Sequence, residues 1–156
     1  MSAHAFAAWC EQTGASVVIK ESTWMFPMIL VAHLIGLAWI GGTMFAVDLR
    51  LIGPGLQSRS AQDLWRDLRP WAWSGLALTL GSGWLLFASE ALRCVDNPLF
   101  RAKLAFLASA LLVSATMRRR VLRSTDVTRV RERAVGLTSL ALWFGAALMG
   151  RGVGFW

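Results

Sequence analysis

The sequence predicts an all-α integral membrane protein: an antiparallel four-helix bundle in a single membrane domain, preceded by a short interfacial helix. Three observations predict it. Of 156 residues, 56% are hydrophobic and only 16% charged, and the mean hydropathy of +0.51 exceeds what a globular core of this size can bury. Four apolar stretches have the length that crosses roughly 30 Å of hydrocarbon at about 1.5 Å per residue. The basic residues fall between those stretches in an alternating, one-sided pattern.

The four stretches are residues 24–47, 73–91, 99–117 and 134–150. The first is uninterrupted. The second carries Gly75, Gly81 and Gly83 among leucines, which suits close helix packing in lipid. The third is rich in Ala and Leu with Arg101 and Lys103 near its start, and the fourth is short. No segment shows the alternation of a strand. Nine Trp and no Tyr fit an interfacial belt, with Trp24, Trp71, Trp73 and Trp156 near the ends of apolar segments.

Residues 1–22 have neither a basic start nor a continuous apolar stretch, so they are read as part of the mature chain. Phe6, Trp9, Cys10, Thr13 and Val17 recur at helical spacing with Glu11 and Gln12 opposite, which predicts a helix lying along the interface. Ser22 or Thr23 is expected to cap the first span, with Pro27 in its first turn. Ser60 and Asp63 predict a capped surface helix that ends at Pro70.

Orientation follows from the arginines. Arg50, Arg59, Arg66 and Arg69 lie between spans one and two; Arg118, Arg119, Arg120, Arg123, Arg129, Arg131 and Arg133 lie between spans three and four. The positive-inside rule assigns both segments to the cytoplasm, with both termini and the 92–98 loop outside a bacterial-type inner membrane. The second basic loop is a topology signal or a holder of anionic lipid headgroups. The net charge of +7 is thereby a feature of topology, and no nucleic-acid partner is expected. The expected partners are the lipid bilayer and a larger membrane or redox complex, or a second copy.

The chain has no Gly-rich phosphate loop, no CxxC, no HExxH and no histidine pair on one span. What remains for chemistry is a small set of polar residues in hydrocarbon, which are costly there and functional candidates for that reason. His33 lies near the middle of the first span, flanked by Gly36 and Gly41, and is a cofactor ligand or an imidazole hydrogen-bonded to a neighbouring helix. Lys103 enters the third span from the same side, to within about 8 Å of the same depth. It either snorkels outward or points into the bundle. Glu90 is placed to pair with Lys103 or Arg101, Asp48 and Arg50 to form a charge cluster at the end of span one, and Arg151 to anchor at the outer interface. Cys10 and Cys94 both fall on the outer, oxidising side, where they are two interfacial thiols or a disulfide tying the first helix to the bundle.

Phe26-Pro27 through His33, Gly36, Gly42 and Asp48-Leu49-Arg50, then Asn97-Pro98-Leu99-Phe100-Arg101-Ala102-Lys103 and Gly150-Arg151, resemble an uncharacterised bacterial family of small four-helix membrane proteins. More distantly, the His in span one, the Arg at its inner end and the Lys early in span three are similar to the HemJ-type protoporphyrinogen oxidases. CopD-like membrane domains share that four-helix plan. The resemblance implies haem b as cofactor, with His33 as iron ligand and Lys103 as the candidate sixth ligand; Gly36, by its spacing on the His33 face, would let such a flat group approach. His4 lies outside the spans, so the sixth position falls to Lys103, a Met, water or nothing. The expected function is a haem-binding redox or electron-transfer protein. The alternatives are a cofactor-free accessory subunit of a membrane complex and a HemJ-like oxidase, so enzymatic activity stays open. Copper transport is a weaker alternative, because Met25, Met28 and Met44 form no soft-metal motif.

Overall fold

The computed structural model describes residues 2–53, 60–118 and 128–155, without the side chains of Met117 and Arg118. Arg59, Arg119, Arg120, Arg123 and Trp156 lie outside the described residues. Within them the chain is helical throughout, with no strand. The elements are α1 (Ala3–Glu11), α2 (Gly14–Glu21), α3 (Met25–Ile52), α4 (Ala61–Ser89), α5 (Ala91–Asp96), α6 (Pro98–Val113) followed by a π-helical turn (Ser114–Arg118), and α7 (Arg129–Val153).

Three segments are long and apolar enough to cross a membrane: Met25–Ile52, Pro98–Thr116 and Arg129–Val153. The 29-residue α4 is as long as α3, but its first half carries Asp63, Arg66, Asp67 and Arg69 and its second half mixes Gly, Ser and Thr with leucine. Large apolar side chains cover the outside of the bundle: Leu34, Ile35, Leu112 and Leu148 are each more than half exposed. An apolar surface of that kind calls for a non-aqueous neighbour.

Local chemistry sets the helix ends. The N-cap of α3 is Trp24, which makes no side-chain cap bond, instead of the expected Ser22 or Thr23. Ser22 ends α2, although its Oγ accepts the Met25 N–H at 3.3 Å, and Pro27 sits in the first turn, where its missing N–H costs nothing. Gly53 closes α3 at φ 116°, a left-handed conformation that favours glycine, and returns its N–H to the Leu49 carbonyl at 3.0 Å. Asn97 opens α6 by accepting the Leu99 and Phe100 N–H groups at 2.9 and 3.3 Å.

Two expected elements take a different form. The Ser60–Asp63 cap is present, with the Asp63 N–H 3.0 Å from Ser60 Oγ, yet the helix does not stop at Pro70 but runs on to Ser89. The proline forfeits one backbone hydrogen bond, and packing along α3 carries the helix through. The single interfacial helix is instead two, α1 and α2. Their apolar residues divide, with Ala7 and Cys10 buried against Ala88 and Ala91 while Phe6 and Trp9 face outward at 37% and 58% exposure.

Consecutive long helices pack antiparallel. On α3, His33 meets Thr79 and Ser82 of α4, Gly36 meets Gly75 and Thr79, Met44 clusters with Ala72, and Val47 and Leu51 cluster with Leu64. Gly136 of α7 meets Asp48, Leu51 and Ile52 of α3, and Gly145, Gly150 and Gly152 of α7 meet Phe106, Lys103 and Leu99 of α6. The packed order is therefore α4, α3, α7, α6, leaving the α4–α6 side thinly closed. The Phe87–Phe100 stack bridges that side, with centroids 5.6 Å apart.

Candidate functional site

The site is built on α3 and α4. Gly36 allows the approach: a Cβ there would come 2.7 Å from Thr79 Oγ1 and 2.9 Å from the Thr79 nitrogen, so the helices touch almost backbone to backbone. Gly36 thus borders no open slot. Its contribution is to bring Thr79 and Ser82 within reach of the imidazole one turn away. Gly41 has open space around it.

His33 is 6% exposed. Its Nδ1 lies 3.0 Å from the Thr79 carbonyl oxygen and 3.1 Å from Ser82 Oγ. A carbonyl only accepts, and the Ser82 hydroxyl donates its proton to the Leu78 carbonyl at 2.5 Å. Both neighbours therefore present lone pairs, which places the ring proton on Nδ1. Nε2 then carries the lone pair and has no hydrogen-bond partner among the described residues. Gly83 fits beside the ring, where a Cβ would lie 3.0 Å from Cε1.

Lys103 does not run out along the surface. Its aliphatic stem lies against Gly150 of α7, where a Cβ would be 3.4 Å from Cδ and Cε. Because Gly136 meets residues 48–52 of α3, Gly150, about four turns further along the antiparallel α7, reaches the level of Gly36. The Lys103 charge lies within electrostatic reach of both His33 and Cys94. It makes no hydrogen bond or ion pair among the described residues. Glu90, expected to pair with Lys103 or Arg101, instead pairs with Arg93 at 3.4 Å, because both lie at the turn into α5. Arg151 lies over the Phe155 ring at 5.3 Å.

A cap formed by α1, α2 and α5 completes the surroundings. Glu11 accepts Lys20 Nζ at 2.6 Å and the Leu92 N–H at 2.8 Å, and the Lys20 hydrogen bond holds its carboxyl below the usual range. Ser16 ties α2 to α4 by donating to the Ala88 carbonyl at 2.9 Å. Cys10 and Cys94 are free thiols. Burial, then the neighbouring Glu90, pushes the Cys94 thiol up. Near the far end of α3 Asp48 is fully buried.

The second side of the His33 site escaped the sequence reading. Thr79, Ser82 and Gly83 were legible only as small residues recurring with Gly75 on one face of α4. That spacing is the signal that would have matched them to the His33–Gly36 face. No group of three or more His, Cys, Asp or Glu suited to a metal ion occurs among the described residues.

The fold and this site describe a helical protein with three helices long and apolar enough to cross a membrane and one buried histidine beside a hydroxyl and a carbonyl. The chain belongs to the family of unknown function DUF6644, whose match covers residues 6–156. No curated protein and no solved structure matched the chain.

Proposed function

We propose that this is a four-span inner-membrane protein that binds haem b through His33 and serves redox or electron transfer. The tautomer of His33 carries the reading. A histidine that ligates iron needs one bare nitrogen and a partner orienting the other, commonly a backbone carbonyl. Thr79 and Ser82 supply that partner to Nδ1, leaving the Nε2 lone pair for the metal. Lys103, level with His33, is the second group the site offers, as a neutral sixth ligand or as a cation beside the carboxylates of the group. A Met or water is the alternative sixth ligand. When bound, haem b supplies a one-electron couple between ferric and ferrous iron.

Crossing by α4 is supported by its length and its continuous packing along α3. The arginine asymmetry supports termini outside. A cofactor-free accessory subunit is the second reading, and α6 favours it: only Ala110 of that helix is buried, so its remaining surface is left to lipid or to another chain. Absorption spectra of detergent-purified protein expressed with ample haem, oxidised and then reduced with dithionite, test the proposal. A Soret band that the wild type shows and His33→Ala lacks is expected. No Soret band in the wild type overturns the haem reading in favour of the accessory subunit.

A further inference from the structure

At the opposite end of the bundle, the last turn of α3 and the first turns of α7 enclose two adjoining clefts of about 250 and about 330 Å³ that share Arg50 and Arg129. Arg133 lines the larger and Glu132 the smaller. Arg129 and Arg133 are four residues apart on α7 and so share one face. Arg133 is brought in by the end of α3: its Nη2 lies 3.8 Å from where a Cβ on Gly53 would stand. Against these three guanidinium groups stands Glu132, 3.8 Å from Arg129. Asp48 is buried one turn before the end of α3, and Arg50 has contacts of its own besides the cleft. Among the described residues the clefts are therefore lined by more basic than acidic side chains.

A second feature points the same way. Thr128, the N-cap of α7, makes no side-chain cap hydrogen bond, so among the described residues no side chain caps the positive end of this 25-residue helix beside Arg129. Guanidinium groups match phosphate oxygens in paired, parallel hydrogen bonds, and helix N-termini add to the attraction.

We infer that Arg50, Arg129 and Arg133 form a binding site for a phosphate group at this end of the bundle. Two sources present that chemistry there: the headgroup of an anionic phospholipid and soluble phosphate. The site is independent of haem.

The test is native mass spectrometry of the whole protein released from mixed vesicles of phosphatidylglycerol and phosphatidylcholine. The wild type is expected to retain phosphatidylglycerol preferentially. Arg129→Gln with Arg133→Gln should lower that retention by roughly fivefold for each arginine removed, the contribution of one interfacial basic side chain. Arg151→Gln, at the other end, should leave it unchanged. A second arm adds inorganic phosphate to lipid-depleted protein. Saturable phosphate binding that the double variant loses, and that displaces the retained lipid, assigns the site to a soluble source. Lipid retention that phosphate does not displace assigns it to the membrane. A wild type with neither lipid preference nor phosphate binding overturns the inference, whether or not the double variant folds. Equal retention and equal phosphate binding in wild type and double variant do the same.

Discussion

The Nδ1 of His33 stands 3.0 Å from the carbonyl oxygen of Thr79, one turn from the close Gly36–Gly75 crossing of α3 and α4. Because a carbonyl only accepts, that contact puts the ring proton on Nδ1 and leaves the lone pair on Nε2. The contact exists because Gly36 and Gly75 let two helices meet with almost nothing between them.

The proposed ligation by His33 has a spectroscopic consequence that separates it from the role proposed for Lys103. His33→Ala is expected to abolish haem incorporation. Lys103→Ala should leave a haem bound with an altered spin state, visible in the charge-transfer and Soret regions of the ferric spectrum. Unchanged haem content in His33→Ala would remove this histidine as the ligand.

Gly36→Ala should destabilise the bundle by about 1–3 kcal/mol, the usual cost of forcing atoms into a packed contact, because the new Cβ would meet the Thr79 backbone at 2.9 Å. Gly41→Ala meets nothing within 4 Å and should be neutral or stabilising by up to about 1 kcal/mol through helix propensity. Thermal unfolding of both variants in one detergent checks the contrast, and equal midpoints would contradict the crossing.

Asn97 is 1% exposed, caps α6 and reaches the Val153 carbonyl of α7 at 3.5 Å. Asn97→Ala should cost about 1–2 kcal/mol, as loss of an N-cap does. Asn97→Asp keeps the acceptor but not the amide donor and should recover most of the loss, which the same unfolding measurement reports.

The cap formed by α1, α2 and α5 should loosen in acid. The Glu11 carboxyl is held below its usual range by Lys20. Its contribution is thus fully present above the unfolded-state pKa and is lost as pH falls through the lower folded value. Hydrogen exchange of α1 is expected to speed up below about pH 4.5, the ordinary carboxylate value, and Glu11→Gln should flatten that dependence. An identical pH profile in the variant would show that the Glu11–Lys20 pair does not hold the cap.

Cys94 should alkylate slowly at neutral pH, because burial raises its thiol pKa and the thiolate is the reactive form. Mass spectrometry of protein taken from its native membrane without reductant will show whether that thiol and Cys10 remain free, as they are here. A mass lower by two hydrogens would show a bond between α1 and α5.

Much of the architecture was legible in one dimension because lipid imposes it. Apolar length marks a crossing, and the 24–47, 99–117 and 134–150 stretches correspond to three helices long and apolar enough to cross. The second stretch lies almost wholly within α4, whose first half is charged and whose second half is diluted by Gly, Ser and Thr, so that helix does not qualify by composition. Pro70 was misread as a stop because a lost hydrogen bond is a local cost, whereas the gain from packing against α3 is not visible locally. The division of residues 3–21 into two helices likewise depended on α4 and α5 receiving Ala7 and Cys10.

The sequence by itself determined that apolar helices would dominate, that His33 would stand deep inside one of them and that Lys103 would share its level, because helical rise converts residue number into depth. Only the tertiary structure decided what surrounds that histidine. Thr79, Ser82 and Gly83 lie some 46–50 positions away along the chain. Their encounter with His33 depends on the rotation of α4 about its own axis, which is set by the small-residue contact at Gly36 and by no pattern within either helix alone.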